Sequence, residues 1–281
     1  MGPMVADPHV KRYLVKPGSS VRLSRMDPGD TTGFDGGKKE GEEAIGAIIE
    51  KLDPLQELLF AEHKHRVLLV LQGMDSSGKD ATIRRVFEGV NPEGVRVAHF
   101  GRPSQEESDH DYLWRAHRQA PARGEVVIFN RSHYESVLVE RVHGIVSKDV
   151  WEKRYRQISD FERMLSEEGT TILKFFLHIG KKEQAKRFQD RLDDPTKHWK
   201  FSYLDYNERS YWKEYMRAYE DALERTSTGD APWYVVPSNH GWFRDLVVSQ
   251  VVLASLEGLK MRYPKLDTAK RAVLNDGENG P

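Results

Sequence analysis

The sequence predicts an α/β fold: a parallel five-stranded sheet sandwiched by helices, with a phosphate-binding loop and a helical lid. Three observations lead there. Five short apolar runs alternate with helical patterns, the order that builds a parallel sheet with ligands at the carboxyl ends of its strands. The run Val67-Leu68-Leu69-Val70-Leu71 leads at once into Gly73-Met74-Asp75-Ser76-Ser77-Gly78-Lys79, and a helical spacing of Ile83, Val86, Phe87 and Val90 comes next. Strand, glycine-bounded loop, lysine and helix in that order make a P-loop. A basic helix and loop beyond Lys181 supply the lid.

Each part of the loop has a physical task. Gly73 and Gly78 allow the backbone to turn successive N–H groups inward. The helix N-terminus faces the phosphates with about half a positive charge, and Lys79 adds a full one. The expected phosphate-binding residues here are Gly73, Ser76, Ser77, Gly78, Lys79 and Asp80. Asp80 stands where Ser or Thr usually ligates Mg²⁺, and Asp75 lies within the loop. Two carboxylates beside phosphates repel them unless a cation stands between. Mg²⁺ is therefore expected at Asp75, and at Asp80 unless that residue only complements the helix dipole; Mn²⁺ is expected to substitute.

Composition narrows the class. The chain has 281 residues, is 38% hydrophobic, and balances 43 basic against 44 acidic side chains. It therefore has enough apolar matter for a core, and no global field to attract nucleic acid; an anion site must be local. No cysteine is present, which excludes disulfides and thiolate metal sites. The sequence contains neither a membrane-length apolar run nor a signal-peptide core. A soluble cytoplasmic protein with no membrane or nucleic-acid partner is expected.

Taken in order, residues 1–37 are rich in Gly, Pro and Asp and read as an arm on the core or on a partner. Residues 38–265 read as one domain with its lid at about 181–206, and residues 266–281 as a disordered tail. Ile45, Ile48, Ile49 and Leu52 keep helical spacing; Asp53 and Pro54 then suggest a kink or a break into two helices. Residues 95–100 form the second strand. Ser104 with Glu107 is a capping box that opens a helix through about His117. Residues 125–129 form the third strand, and a helix striped by Trp151, Tyr155, Ile158, Phe161 and Leu165 begins near Ser147. The fourth strand, residues 171–179, is nearly all apolar and so central and covered on both faces. A charged helix from Lys181, a helix over about 207–226, a fifth strand at 233–236 and a last helix from Trp242 to about Met261 complete the chain.

Ligands gather at the carboxyl ends of parallel strands, so the residues just past each strand come first as site candidates. After the third strand, Asn130 can hydrogen-bond a phosphate oxygen or a metal-bound water, and Arg131 suits a transferring phosphoryl group. His133 is not needed as a base, because an acceptor phosphate is already anionic at neutral pH. After the second strand, Phe100-Gly101-Arg102-Pro103 turns the chain. There Phe100 could stack on a base and Arg102 or Arg115 could hold the acceptor phosphate; ordinary turn chemistry explains the stretch as well. In the basic stretch, Arg187 and Arg191 lie one turn apart, and Lys197 and Lys200 stand beyond them among aromatics. These four are the expected lid contacts to phosphate; the alternative is a solvated charged helix.

Three motifs, G-M-D-S-S-G-K-D, F-N-R-S-H-Y-E and R-L-D-D-P-T-K-H-W-K-F-S-Y-L-D, together resemble the polyphosphate kinase 2 family. The likeness runs from about Asp27 to Leu259. It implies a P-loop kinase-like fold with a lid, and Mg²⁺-dependent, reversible phosphoryl transfer between inorganic polyphosphate and nucleotides (AMP, ADP, ATP and guanine nucleotides). It implies catalytic roles for Asp75, Lys79 and Arg131, with Arg191 and Asp205 from the lid. Phe100, Gly101, Arg102, Pro103, Arg115, Asn130 and Glu135 form the expected nucleotide side, and a homodimer or homotetramer the expected assembly. Many members carry Asp where this chain has Asn130; the Asn form is similar to the class III branch, which phosphorylates both nucleoside mono- and diphosphates. Two other readings remain open: an ATP-dependent nucleoside monophosphate kinase, and a non-catalytic nucleotide or polyanion sensor.

Overall fold

The structure, a computed structural model, describes residues 8–266. The expected disordered tail lies almost wholly outside them. A short turn of helix, α1 (Pro8–Lys11), opens the described chain, and α2 (Lys38–Glu62) leads into β1 (Arg66–Gln72). Next come α3 (Lys79–Val86), β2 (Val95–His99), α4 (Gln105–Asp109), α5 (Trp114–Arg118), β3 (Val126–Asn130) and α6 (Val139–Val142). The long α7 (Lys148–Glu167) precedes β4 (Thr170–His178), α8 (Lys181–Asp193), α9 (Tyr203–Asn207) and α10 (Trp212–Thr226). Finally β5 (Trp233–Pro237) leads to α11 (Gly241–Gly258).

All five strands pair in parallel in the order β2-β3-β1-β4-β5. The chain leaves β1 toward one edge and returns to its other side with β4. The loop after β1 thus sits where the winding reverses, the place at which parallel sheets bind ligands. Alternation along β1 divides the core. Val67, Leu69 and Leu71 face α2, α3 and α11, whereas Leu68 and Val70 face α7 and α10. Both faces of the sheet are covered, as the apolar strands require.

Three expected boundaries need correction. Pro54 does not divide a helix: α2 runs unbroken through it. Leu52 before it and Gln56 and Leu59 beyond it are all buried, so packing along one face offsets the lost backbone hydrogen bond. The capping box at Ser104 and Glu107 does form, but its helix ends at Asp109. Asp111 then accepts from the Leu113 and Trp114 N–H groups and starts a separate helix. The helix after the P-loop stops at Val86, short of Val90.

The arm lies on the sheet edge. Leu14 bridges Tyr234 antiparallel, with Val15 N–H donating to Trp233 O and Val235 N–H to Tyr13 O, both at 2.8 Å. Val15, Val21 and Leu23 are buried in the core on the α10 side. The arm thereby occupies part of an edge that otherwise leaves strand N–H and C=O groups unpaired.

Candidate active site

The P-loop has the backbone its glycines imply. Gly73 has φ 152° and Gly78 has φ 107°. A Cβ on Gly73 would lie 2.7 Å from Ser77 Oγ, and one on Gly78 would collide with the Arg244 guanidinium. Ser76 takes a left-handed φ of 63° without being glycine, which concentrates strain in the loop. Lys79 Nζ donates to Gly73 O (2.9 Å) and Met74 O (3.3 Å), arching over the loop. Burial, reinforced by the Arg131 charge, lowers the Lys79 pKa against the pull of Asp75, Glu135 and Asp80.

β3 brings the second group. Leu71 and Asn130 are register partners on β1 and β3, and Arg131 N–H continues the ladder to Leu71 O at 3.1 Å. Arg131 then turns with φ 61°, and its Nη2 donates to Asp75 Oδ1 at 2.8 Å. Glu135 Oε2 lies 3.7 Å from Arg131 Nη1. Burial raises the Glu135 pKa, opposed by Arg131 and by a bond from Gln72. Asn130 Nδ2 donates to Asp80 Oδ1 at 2.5 Å. Both carboxylates of the P-loop region are thus paired with residues from the end of β3.

These groups line a cavity of about 480 Å³. The P-loop contributes Asp75, Ser76, Gly78, Lys79 and Asp80, and the strand ends contribute Phe100, Gly101, Asn130 and Arg131. Arg191, Lys197 and Lys200 close it from the lid. His99 and Trp199 line it too and were not singled out from the sequence. Trp199 is 78% exposed, so its ring is offered to whatever enters; its place between two lysines was the available signal.

Several expected contacts fall elsewhere. Arg187 does not face the cavity. Its Nη1 donates to Ser76 O and Ser77 O, its Nη2 to Ser238 O and Asn239 O, and its Nε to Glu183. It ties the lid helix to the P-loop and to the end of β5 through these four carbonyls. Phe100 cannot offer a stacking face: it is 4% exposed, with Phe129 at 4.7 Å and the Arg115 guanidinium at 5.1 Å from its ring. Arg115 itself bonds Gly101 O and pairs with Glu107, while Arg102 and Pro103 are exposed outside the cavity. Gly73, Ser77 and Glu135 do not line the cavity. Asp205 lies in α9.

Two supports carried no signal in the sequence. Arg244 and Asp245 are buried together; Arg244 donates through Nε and Nη2 to the Asp245 carboxylate, which also accepts from Thr82 Oγ1 at 2.8 Å. Gln184 Nε2 holds Asp75 O at 2.8 Å. As residue types along the chain, all of these look like ordinary polar positions on helices.

Among the described residues no three His, Cys, Asp or Glu side chains converge as a closed metal cage. Mg²⁺ rarely uses one; it takes one or two carboxylates together with substrate phosphates and water. Asp75 and Asp80 on the cavity wall fit that donor set.

A strained P-loop at the reversal of a parallel sheet, an arginine opposite it and a basic lid define a P-loop phosphotransferase of the kinase type. Comparison with known proteins specifies which. Residues 36–264 match the family Polyphosphate kinase 2, and the chain belongs to that family of enzymes. It is 55% identical over 265 residues to the AMP/ADP-polyphosphate phosphotransferase of Meiothermus ruber, covering 94% of this chain and 99% of that one. It is 44% identical to the ADP-polyphosphate phosphotransferase of Rhodopseudomonas palustris, covering 94% and 95%. The crystal structure of polyphosphate kinase 2 from Arthrobacter aurescens superposes with a TM-score of 0.90 at 45% identity, covering 96% and 98%. No helix among the described residues is long and apolar enough to cross a membrane.

Proposed function

We propose that this enzyme transfers phosphoryl groups between inorganic polyphosphate and both nucleoside mono- and diphosphates, the activity of the class III branch. The observation that carries the reading is the single cavity in which Lys79, Arg131, Arg191, Lys197 and Lys200 meet beside two carboxylates. Five cations exceed what a terminal phosphate alone requires and suit a long polyanion. The cavity also shares Asp80, Ala81 and Lys200 with a larger groove whose lining balances Lys38, Arg84, Arg85 and Lys200 against Glu42, Asp80, Glu88 and Asp245, so the excess of cations lies in the smaller cavity. The naming of a 55% identical relative for AMP and ADP together supports the breadth of acceptor.

In this mechanism the P-loop amides and Lys79 hold the donor phosphates, and the lid bases cover them. Arg131 neutralises the three equatorial oxygens of the phosphoryl group in flight. An oxygen of the acceptor's terminal phosphate forms the new P–O bond as the bond to the shortened polyphosphate breaks, and that chain leaves as an anion. No general base is required, because the attacking oxygen is already ionised at neutral pH. Asp75 and Asp80 would hold Mg²⁺, or Mn²⁺ in its place, which when bound would offset the negative charge of the phosphates. Asn130 holds Asp80 in place through its amide.

The test is direct. The purified protein is incubated with AMP or ADP, polyphosphate and Mg²⁺, and the nucleotides are separated by chromatography; ATP with AMP serves as the competing donor pair. ATP formed from ADP, and ADP and ATP formed from AMP, with polyphosphate as donor is the expected result. Turnover only with ATP as donor would assign an ordinary nucleoside monophosphate kinase, and none at all a sensor. Light scattering on the same sample measures the expected dimer or tetramer.

A further inference from the structure

The loop that follows Arg131 is bonded to a buried ion pair in the core that the reaction does not use. Lys174 lies in the middle of β4, on the face shared with Ile172 and Phe176, and is 0% exposed; Glu162 of α7 is 1% exposed. Lys174 Nζ donates to Glu162 Oε2 (2.5 Å), to Thr226 O (2.7 Å) and to the Tyr134 hydroxyl (2.9 Å). Tyr134 in turn donates to Glu162 Oε1 at 2.9 Å and lies 2.8 Å from Thr226 Oγ1. His133 Nε2 approaches Glu162 Oε1 at 3.3 Å.

Charges taken this far from water are poor contributors to stability. Their desolvation cost commonly equals or exceeds their attraction, and apolar residues of similar volume often serve as well or better. The placement of this pair suggests another use. Its partners His133 and Tyr134 are the second and third residues after Arg131. Arg131 itself has φ 61°, a conformation that a bulky side chain keeps only when its surroundings over-determine it. Toward β1 the same loop is held by Arg131 N–H to Leu71 O and by Gln72 Nε2 to Ser132 Oγ at 3.0 Å. On the core side the hydrogen bonds of Tyr134 and His133 to Glu162 and Lys174 hold it.

We propose that the Lys174–Glu162 pair, acting through Tyr134, is a positioning device that fixes the Arg131 loop and so sets the rate of phosphoryl transfer. The inference rests on the catalytic role given to Arg131 above. Hydrogen bonds specify one orientation of Tyr134, where apolar packing would tolerate several. Loss of that orientation frees the loop to relax its strained turn and moves the guanidinium. A displacement of about 1 Å there costs on the order of a hundredfold in rate.

Three variants test this: Tyr134→Phe, which removes one hydroxyl; Glu162→Leu with Lys174→Met, which replaces the pair by apolar groups; and Arg131→Ala. Thermal midpoints, kcat, and KM for ADP and for polyphosphate are measured for each. The expected result is that the first two fold, lose at least about tenfold in kcat and keep both KM values within about twofold, Tyr134→Phe with a lowered midpoint because buried Lys174 and Glu162 each lose a partner. A purely structural pair predicts an altered midpoint with unchanged kcat. Parent-like kcat in folded Tyr134→Phe overturns the inference, and that variant decides alone should the double substitution fail to fold. In that case an inactive Arg131→Ala leaves the role of Arg131 standing. An active Arg131→Ala removes both.

Discussion

Arg131 donates from Nη2 to Asp75 Oδ1 across 2.8 Å, joining the end of β3 to the middle of the P-loop. The two residues proposed to handle opposite charges in the reaction are therefore already in contact. Each fixes the other, so substitution of either alters the position of its partner as well as its own charge.

Replacing Lys79 or Arg131 by Ala is expected to remove at least about a hundredfold of kcat, the scale for loss of one charge-stabilising group in an active site. Far-UV circular dichroism should be unchanged. A variant that retains half the parent rate takes that residue out of the catalytic set.

Asp75→Asn keeps the shape of the side chain and loses its charge. Turnover should fall, and the Mg²⁺ concentration giving half-maximal rate should rise, because one carboxylate for the ion is lost. Arg131 also loses its ionic partner, so kcat should stay depressed at saturating Mg²⁺. Nucleotide binding without metal should persist or tighten, since a like charge beside the phosphates has gone. Titrations of rate against Mg²⁺ and of nucleotide affinity in chelator check both arms. Full activity at ordinary Mg²⁺ would return Asp75 to a structural role.

Lys197 and Lys200 line the cavity from the lid. Replacing both by Gln should raise KM for long polyphosphate more than for short chains and flatten the salt dependence of KM. Equal changes for both donors would mean that these lysines only shape the lid.

Arg187→Met removes the donor shared by the carbonyls of Ser76, Ser77, Ser238 and Asn239, of which Ser77 O keeps a bond from Arg244 Nη1 at 3.4 Å. A loss of about 1–3 kcal/mol in unfolding free energy is expected from unpaired buried acceptors, read from denaturant unfolding. If Arg187 instead touched the donor, KM for polyphosphate would rise with little change in stability.

Phe100→Ala should cost about 3–5 kcal/mol, as for other large core side chains. Phe100→Leu should fold and keep its KM for ADP within about twofold. A large rise in that KM would restore the base-stacking role that burial of the ring argues against.

The parallel sheet is legible in the chain alone, because five apolar runs separated by helical spacing have few other packings. So are the P-loop and the arginine after β3, since phosphate binding there depends on local backbone geometry and on strand ends. Local chemistry does not say which way a long side chain points. Arg187 and Arg191 are one turn apart on α8, yet the first is drawn beneath the loop by four carbonyls and only the second lines the cavity. Phe100 looked available for stacking until β3 brought Phe129 against it. Lys174 on Thr226, Thr82 on Asp245, and Gln184 under Asp75 join segments far apart in the chain. Only the folded sheet brings such groups within hydrogen-bonding distance, and only there does burial make each unpaired donor or acceptor costly enough to fix its partner.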